Sequence, residues 1–125
     1  MNPFISHGTG IVGQNSTDPY ADVVFTEAAS GQASTVIKAI TSGPVSFHMK
    51  NIGANAIKYR VLASNDQTFA DADWAVVVAE TSLASGLAAS EYLDVARFLF
   101  YKLQEKASVG GSQGTMIAAV AVKRY

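Results

Sequence analysis

The chain has no cysteine, which excludes disulfides, a thiolate nucleophile and zinc held by sulfur. Charge is scarce too: Asp, Glu, Lys and Arg make up 15% of its 125 residues, against roughly 25% in an ordinary soluble domain. The net charge is −1, so clustered cations of the kind that bind nucleic acid by counterion release are missing, and nucleic acid is not an expected partner. No apolar run approaches the roughly 18 residues of a membrane span, and the start Met1-Asn2-Pro3-Phe4 has neither the basic flank nor the apolar stretch of a secretory signal. No membrane association is expected. What abounds is apolar surface, with 49% hydrophobic residues. A single domain with so little charge is expected to hide part of its surface in an assembly.

Residues 1 to about 20 hold Pro3, Gly8, Gly10, Gly13, Asn15, Ser16, Asp18 and Pro19 among isolated apolar residues, and read as an extended N-terminal arm. From residue 21 onward short β-rich runs follow, at Asp22 to Glu27, Ser34 to Thr41, Val45 to Asn51, Ala56 to Ser64 and Trp74 to Glu80. Turn formers separate them every 8 to 12 residues or so, the pattern of an antiparallel sandwich or barrel. Val45, Phe47 and Met49 oppose Ser46, His48 and Lys50. Ile57, Tyr59, Val61 and Ala63 likewise oppose Lys58 and Arg60, so each strand has one core face and one wet face. The loop between these two strands suits a hairpin, with Gly53 or Asn55 supplying a positive φ.

Ser90 to Ala107 supports two readings. Tyr92, Val95, Ala96, Leu99 and Leu103 recur at helical spacing, with Ser90 as a cap and Gly110 as a stop. Leu99, Tyr101 and Leu103 equally alternate with Phe98, Phe100, Lys102 and Gln104 at strand spacing. On the strand reading this segment and Thr115 to Lys123 make one hairpin around Gly110 to Gly114.

Motif matches are weak. Gly8-Thr9-Gly10-Ile11-Val12-Gly13 fits the dinucleotide fingerprint in letters, but no strand precedes it and no helix can follow through Asn15 to Pro19. Gly110-Gly111-Ser112-Gln113-Gly114 fits a nucleophile elbow, yet no acid or histidine follows to complete a triad. His7 and His48 are the only imidazoles and have no acids at ligand spacing. Asp66, Asp71 and Asp73 lack the glycine and closing glutamate of a calcium loop, so Phe69 and Trp74 folding back over one end of the core is the preferred reading. The Asn15-Ser16-Thr17 sequon has no secretion signal beside it. No catalytic residues, metal or cofactor are expected. Charge is also segregated: no Lys or Arg occurs between Arg60 and Arg97, while six acids lie between Asp66 and Asp94. Such separation suits ordered contacts with a partner or with further copies of the chain.

The stretch Lys50-Asn51-Ile52-Gly53-Ala54-Asn55-Ala56-Ile57-Lys58-Tyr59-Arg60-Val61, the turn Ala63 to Asp66, Trp74, Glu80-Thr81-Ser82 with Gly86, and Arg97 to Lys106 leading into Gly110 to Gly114 together resemble small structural proteins of tailed-phage virions. The resemblance covers about residues 45 to 114. It implies an all-β single antiparallel sandwich, jelly-roll-like, of about eight strands over residues 21–125, behind the arm of residues 1–20. It also favours the strand reading of Arg97 to Lys106, although Leu103 and Glu105 stand where such strands more often carry β-branched residues. The implied function is non-enzymatic capsid decoration on the virion surface, with the major capsid protein as partner and a homo-oligomer, trimer favoured. The interface residues expected are Phe98 and Phe100 together with Phe4, Ile5, Ile11 and Val12 of the arm. The alternative is a carbohydrate- or receptor-binding module of a virion or host-surface protein, with Trp74, Asp71, Asp73 and Tyr92 as the candidate glycan site.

Overall fold

A computed structural model describes residues 4–11, 20–27, 33–38, 44–93, 98–108 and 115–122. The strands are β1 (Phe4–Ile11), β2 (Ala21–Asp22), β3 (Val24–Glu27), β4 (Ala33–Ser34), β5 (Ile37–Lys38), β6 (Val45–Asn51), β7 (Ile57–Ser64), β8 (Ala75–Leu83), β9 (Ala88–Leu93), β10 (Phe100–Ala107) and β11 (Thr115–Val122). Of these, β2, β4 and β5 are only two residues long, which leaves eight of four residues or more. One sheet has the order β4-β3-β1-β11-β6-β9; the other has β2-β10-β7-β8, with β5 also paired to β10. All pairings are antiparallel. This is a jelly-roll β-sandwich, as expected.

The alternation of β6 and β7 places their core faces correctly: Val45, Phe47, Met49, Ile57, Tyr59, Val61 and Ala63 are all buried. Facing them are Val23, Phe25, Ile37, Leu83, Tyr101, Leu103, Met116, Ala118 and Val120, and the Phe25 and Phe47 rings meet with centroids 6.3 Å apart. Full burial of each such aliphatic or aromatic side chain contributes about 1.5–3 kcal/mol.

Three expectations are corrected. First, β6 and β7 are not a hairpin, because β6 pairs with β9 and β11 while β7 pairs with β8 and β10. A short linker spans the roughly 10 Å between sheets as readily as it closes a hairpin, and neither Gly53 nor Asn55 takes a positive φ. Among the described residues only Gly86 does, at φ +80. Second, β10 and β11 lie in different sheets rather than in one hairpin. Third, the expected arm contains β1, which pairs with β11 on one side and β3 on the other. A glycine-spaced segment too weak to hold a strand alone gains ladder hydrogen bonds on both edges there. In the segment with two readings, Ser90 to Leu93 and Phe100 to Ala107 are strand, since β9 and β10 both find partners.

Alternation fails just before β10. Phe98 and Leu99 lie in a bend, where the Phe98 N–H donates to the Tyr101 hydroxyl (3.2 Å) and the Leu99 N–H to Asn65 Oδ1 (3.0 Å). Leu99 is therefore exposed while Tyr101 is buried, and Phe98 packs on the margin of the core.

Candidate functional site

The strand registers define two ends of the sandwich. At one, the links β6–β7 and β8–β9 come together around a fully buried Asn51. Its Nδ2 donates to the Asn55 carbonyl (2.9 Å) and the Leu83 carbonyl (3.0 Å), and its Oδ1 accepts from the Gly53 N–H (3.0 Å). The Asn51 main chain adds two more bonds, its N–H donating to Leu87 O (3.0 Å) and its carbonyl accepting from Gly86 N (2.9 Å). The Ser85 hydroxyl donates to Gly53 O at 2.5 Å. Asn51 thus ties the two crossing turns together through side chain and main chain, and removing its amide would leave the buried Leu83 carbonyl without a partner at about 1–3 kcal/mol. On this rigid frame stand Ile52 and Leu87, 52% and 57% exposed, with no charged residue in either turn.

The opposite end is acidic. Ser64 Oγ accepts from the Asp66 N–H (3.0 Å) and donates to the Asp66 carbonyl (2.8 Å), while Asp66 Oδ1 accepts from Thr68 N (2.9 Å) and Thr68 Oγ1 (2.6 Å). Those two bonds from Thr68 hold the Asp66 carboxyl below its usual range. The loop continues into a 3-10 turn, Asp71–Asp73, that folds over the outer face of the β10-bearing sheet. There Lys102 Nζ lies 2.7 Å from Asp71 Oδ1 and 3.6 Å from Asp22 Oδ2. Gln104 Nε2 donates to Asp22 Oδ1 (2.7 Å) and Asp71 Oδ2 (2.9 Å), and Arg60 Nε donates to Gln104 Oε1 (2.8 Å). The bond from Lys102 is the main cause of the lowered Asp71 pKa. Further along the same face Tyr20 hydrogen-bonds Glu80, which also pairs with Lys106 (3.2 Å) and Lys58 (3.4 Å). These contacts, the Tyr20 bond first, hold Glu80 down at about 2.

Trp74 lies beneath this network, 4% exposed, its indole N–H donating to Phe69 O (2.9 Å) and its ring covered by Lys102 Nζ at 4.6 Å. The glycan site expected from Trp74, Asp71, Asp73 and Tyr92 is therefore not assembled. Trp74 is no open platform, Asp71 is engaged with Lys102 and Gln104, and Tyr92 is on β9 in the other sheet. Phe69 does not cap the core either; it is 51% exposed beside Asp66 and Asp73. Of the expected interface residues, Phe98 and Phe100 are half-buried at this acidic end. Phe4, Ile5 and Ile11 fall in β1, and Val12 lies outside the described residues. The register sets His7 and His48 on either side of Ala119, and no group of three metal-ligating side chains occurs among the described residues.

Sequence reasoning missed Asn51 as an anchor, although an amide ending an alternating strand before Gly53 and Asn55 is a signal for side-chain to main-chain bonding.

The fold defines a jelly-roll sandwich. No family model matches the chain, nor does any curated protein. Solved structures do: the K3 cleaved adhesin domain of Lys-gingipain from Porphyromonas gingivalis is similar at TM-score 0.55 and 14% identity, over 91% of this chain and 71% of that one. Murine APRIL is similar at TM-score 0.54 and 9% identity, over 97% and 100%. The globular domain of zebrafish complement 1qA gives 0.50 and 10%, over 96% and 98%. At these identities the likeness shows the fold.

Proposed function

We propose that the chain is a non-enzymatic binding module that docks on a protein receptor through the Asn51-anchored end. The observation that carries this reading is the pair Ile52 and Leu87, held half-exposed on turns that Asn51 makes rigid. Two aliphatic side chains on an uncharged, pre-ordered frame bind with little entropy to lose, which suits a protein surface. Sugar recognition calls for an exposed aromatic beside polar groups, and Ile52 and Leu87 supply none. The adhesin name of one similar domain supports a role in attachment.

A second reading takes the bound protein to be a capsid shell. It is favoured by the likeness to phage virion proteins, because part of the residues that carry it, Asn51 to Asn55 and Gly86, build this same end. Both readings are tested with Ile52→Ser/Leu87→Ser. The unaltered chain is applied to a receptor-protein array, a glycan array and bare phage shells, and binding to a protein target should fall at least about 10-fold in the variant with its melting temperature preserved. Binding that survives the double substitution, or binding to glycans alone, sinks the proposal. Co-sedimentation with shells selects the second reading.

A further inference from the structure

The outer face of the β6-bearing sheet is unusual for a sheet that meets water. Across β9, β6 and β11 its rows read Ala88–Lys50–Ile117, Ser90–His48–Ala119 and Tyr92–Ser46–Ala121. Tyr92 is 64% and Ile117 41% exposed, Lys50 and His48 are exposed, and the remaining positions are small. No acid occurs in these rows; Glu91 turns inward, where its carboxylate accepts from the Tyr59 hydroxyl at 2.5 Å. The face is built mostly of small side chains, with Ile117 and Tyr92 as its large exposed groups and Lys50 as its one formal charge. The opposite character is found on the same chain, at the end where Phe69 stands exposed between Asp66 and Asp73. Neither acid joins a salt bridge among the described residues.

We infer that this sheet face receives the acidic end of a second copy, with Phe69 packing on Ile117 while Asp66 and Asp73 meet Lys50, the neighbour of Ile117 in the same row. The occupant follows from charge complementarity: the face carries the cation Lys50 beside Ile117, and the loop carries the aromatic Phe69 between Asp66 and Asp73 in sequence. A direct pairing of two such faces would oppose cation to cation. Because the two contacting surfaces differ, each copy both offers and receives a loop, and repetition either closes a ring or extends a filament. Lys50 and Ile117 border the Ile52–Leu87 end while Phe69, Asp66 and Asp73 lie at the opposite one, so the loop variants test this inference separately from the receptor reading.

The test is molar mass by light scattering at tens of micromolar, at low and high salt. The unaltered chain should run larger than a monomer and shift toward monomer as salt rises. Lys50→Glu, and separately Asp66→Lys/Asp73→Lys, should each weaken association at least about 10-fold, as should the uncharged change Phe69→Ser. Mixing the two charge variants, or combining them in one chain, should restore the larger species, since every contact then regains opposite charges. All substituted positions are exposed, and circular dichroism melts check that each variant remains folded. A monomeric unaltered chain, an assembly indifferent to the swaps, or a failure of the combined variant to reassemble overturns the inference.

Discussion

Glu105 occupies a core position on β10, fully buried, and neither carboxylate oxygen has a hydrogen-bond partner. Its cross-strand neighbour on β7 is Tyr59, but that hydroxyl is given to Glu91. Desolvation disfavours the ionised form and pushes the Glu105 carboxyl up from 4.5 to about 8. Between those values the unfolded chain has released the proton and the folded chain has kept it. Stability is therefore highest below the unfolded pKa, falls as pH rises and reaches its floor once the folded pKa is passed. The loss over that window is on the order of 5 kcal/mol. Melting temperature should drop steadily from about pH 5 to about pH 8.5, and Glu105→Met should flatten that slope. An unaltered slope in the variant would show that other groups set the pH dependence. The alternation along β10 made the inward position of Glu105 legible, but not its lack of a partner, which depends on how Tyr59 is spent 46 residues earlier in the chain.

Elements were legible wherever alternation was strict, and their connections were not. Val45 to Asn51 and Ile57 to Ser64 show their inner faces in the sequence, yet the sheet each joins depends on partners far along the chain. Among the numbered strands only β3–β4 and β7–β8 are neighbours in both chain and sheet; the other links cross between sheets, and a short loop carries no mark that separates crossing from turning back. The glycine signal was also displaced, from Gly53 to Gly86. Gly86 sits at φ +80, and a methyl group on its Cα would meet nothing within 4 Å. Gly86→Ala therefore meets no steric clash and costs only the left-handed backbone, about 1–2 kcal/mol. Urea unfolding should show that loss with an unchanged slope. A neutral result would mean the β8–β9 turn relaxes into another conformation, at the expense of the Gly86 to Asn51 bond.

At the scale of the whole molecule, strands of about eight residues separate the two ends by roughly 25 Å, one end uncharged and aliphatic, the other acidic. The low charge content and the segregation of acids were legible in the sequence. Their placement was not, because the wet face of β6 meets that of β11 only after the chain has crossed the sandwich repeatedly. If copies join through the acidic end, every subunit keeps its Ile52–Leu87 end available, and an assembly presents several such ends at once. Linking them converts later binding events into intramolecular ones, so apparent affinity for a dense target surface rises without any new contact. Phe69→Ser, at the opposite end from Ile52 and Leu87, should then leave affinity for a single soluble target unchanged while lowering retention on a densely coated surface about 100-fold. Ile52→Ser/Leu87→Ser should weaken both. Surface plasmon resonance at low and high target density separates the two cases. Equal loss at both densities in Phe69→Ser would place the acidic loop in the target contact itself, and no loss at either would mean that assembly adds nothing to attachment.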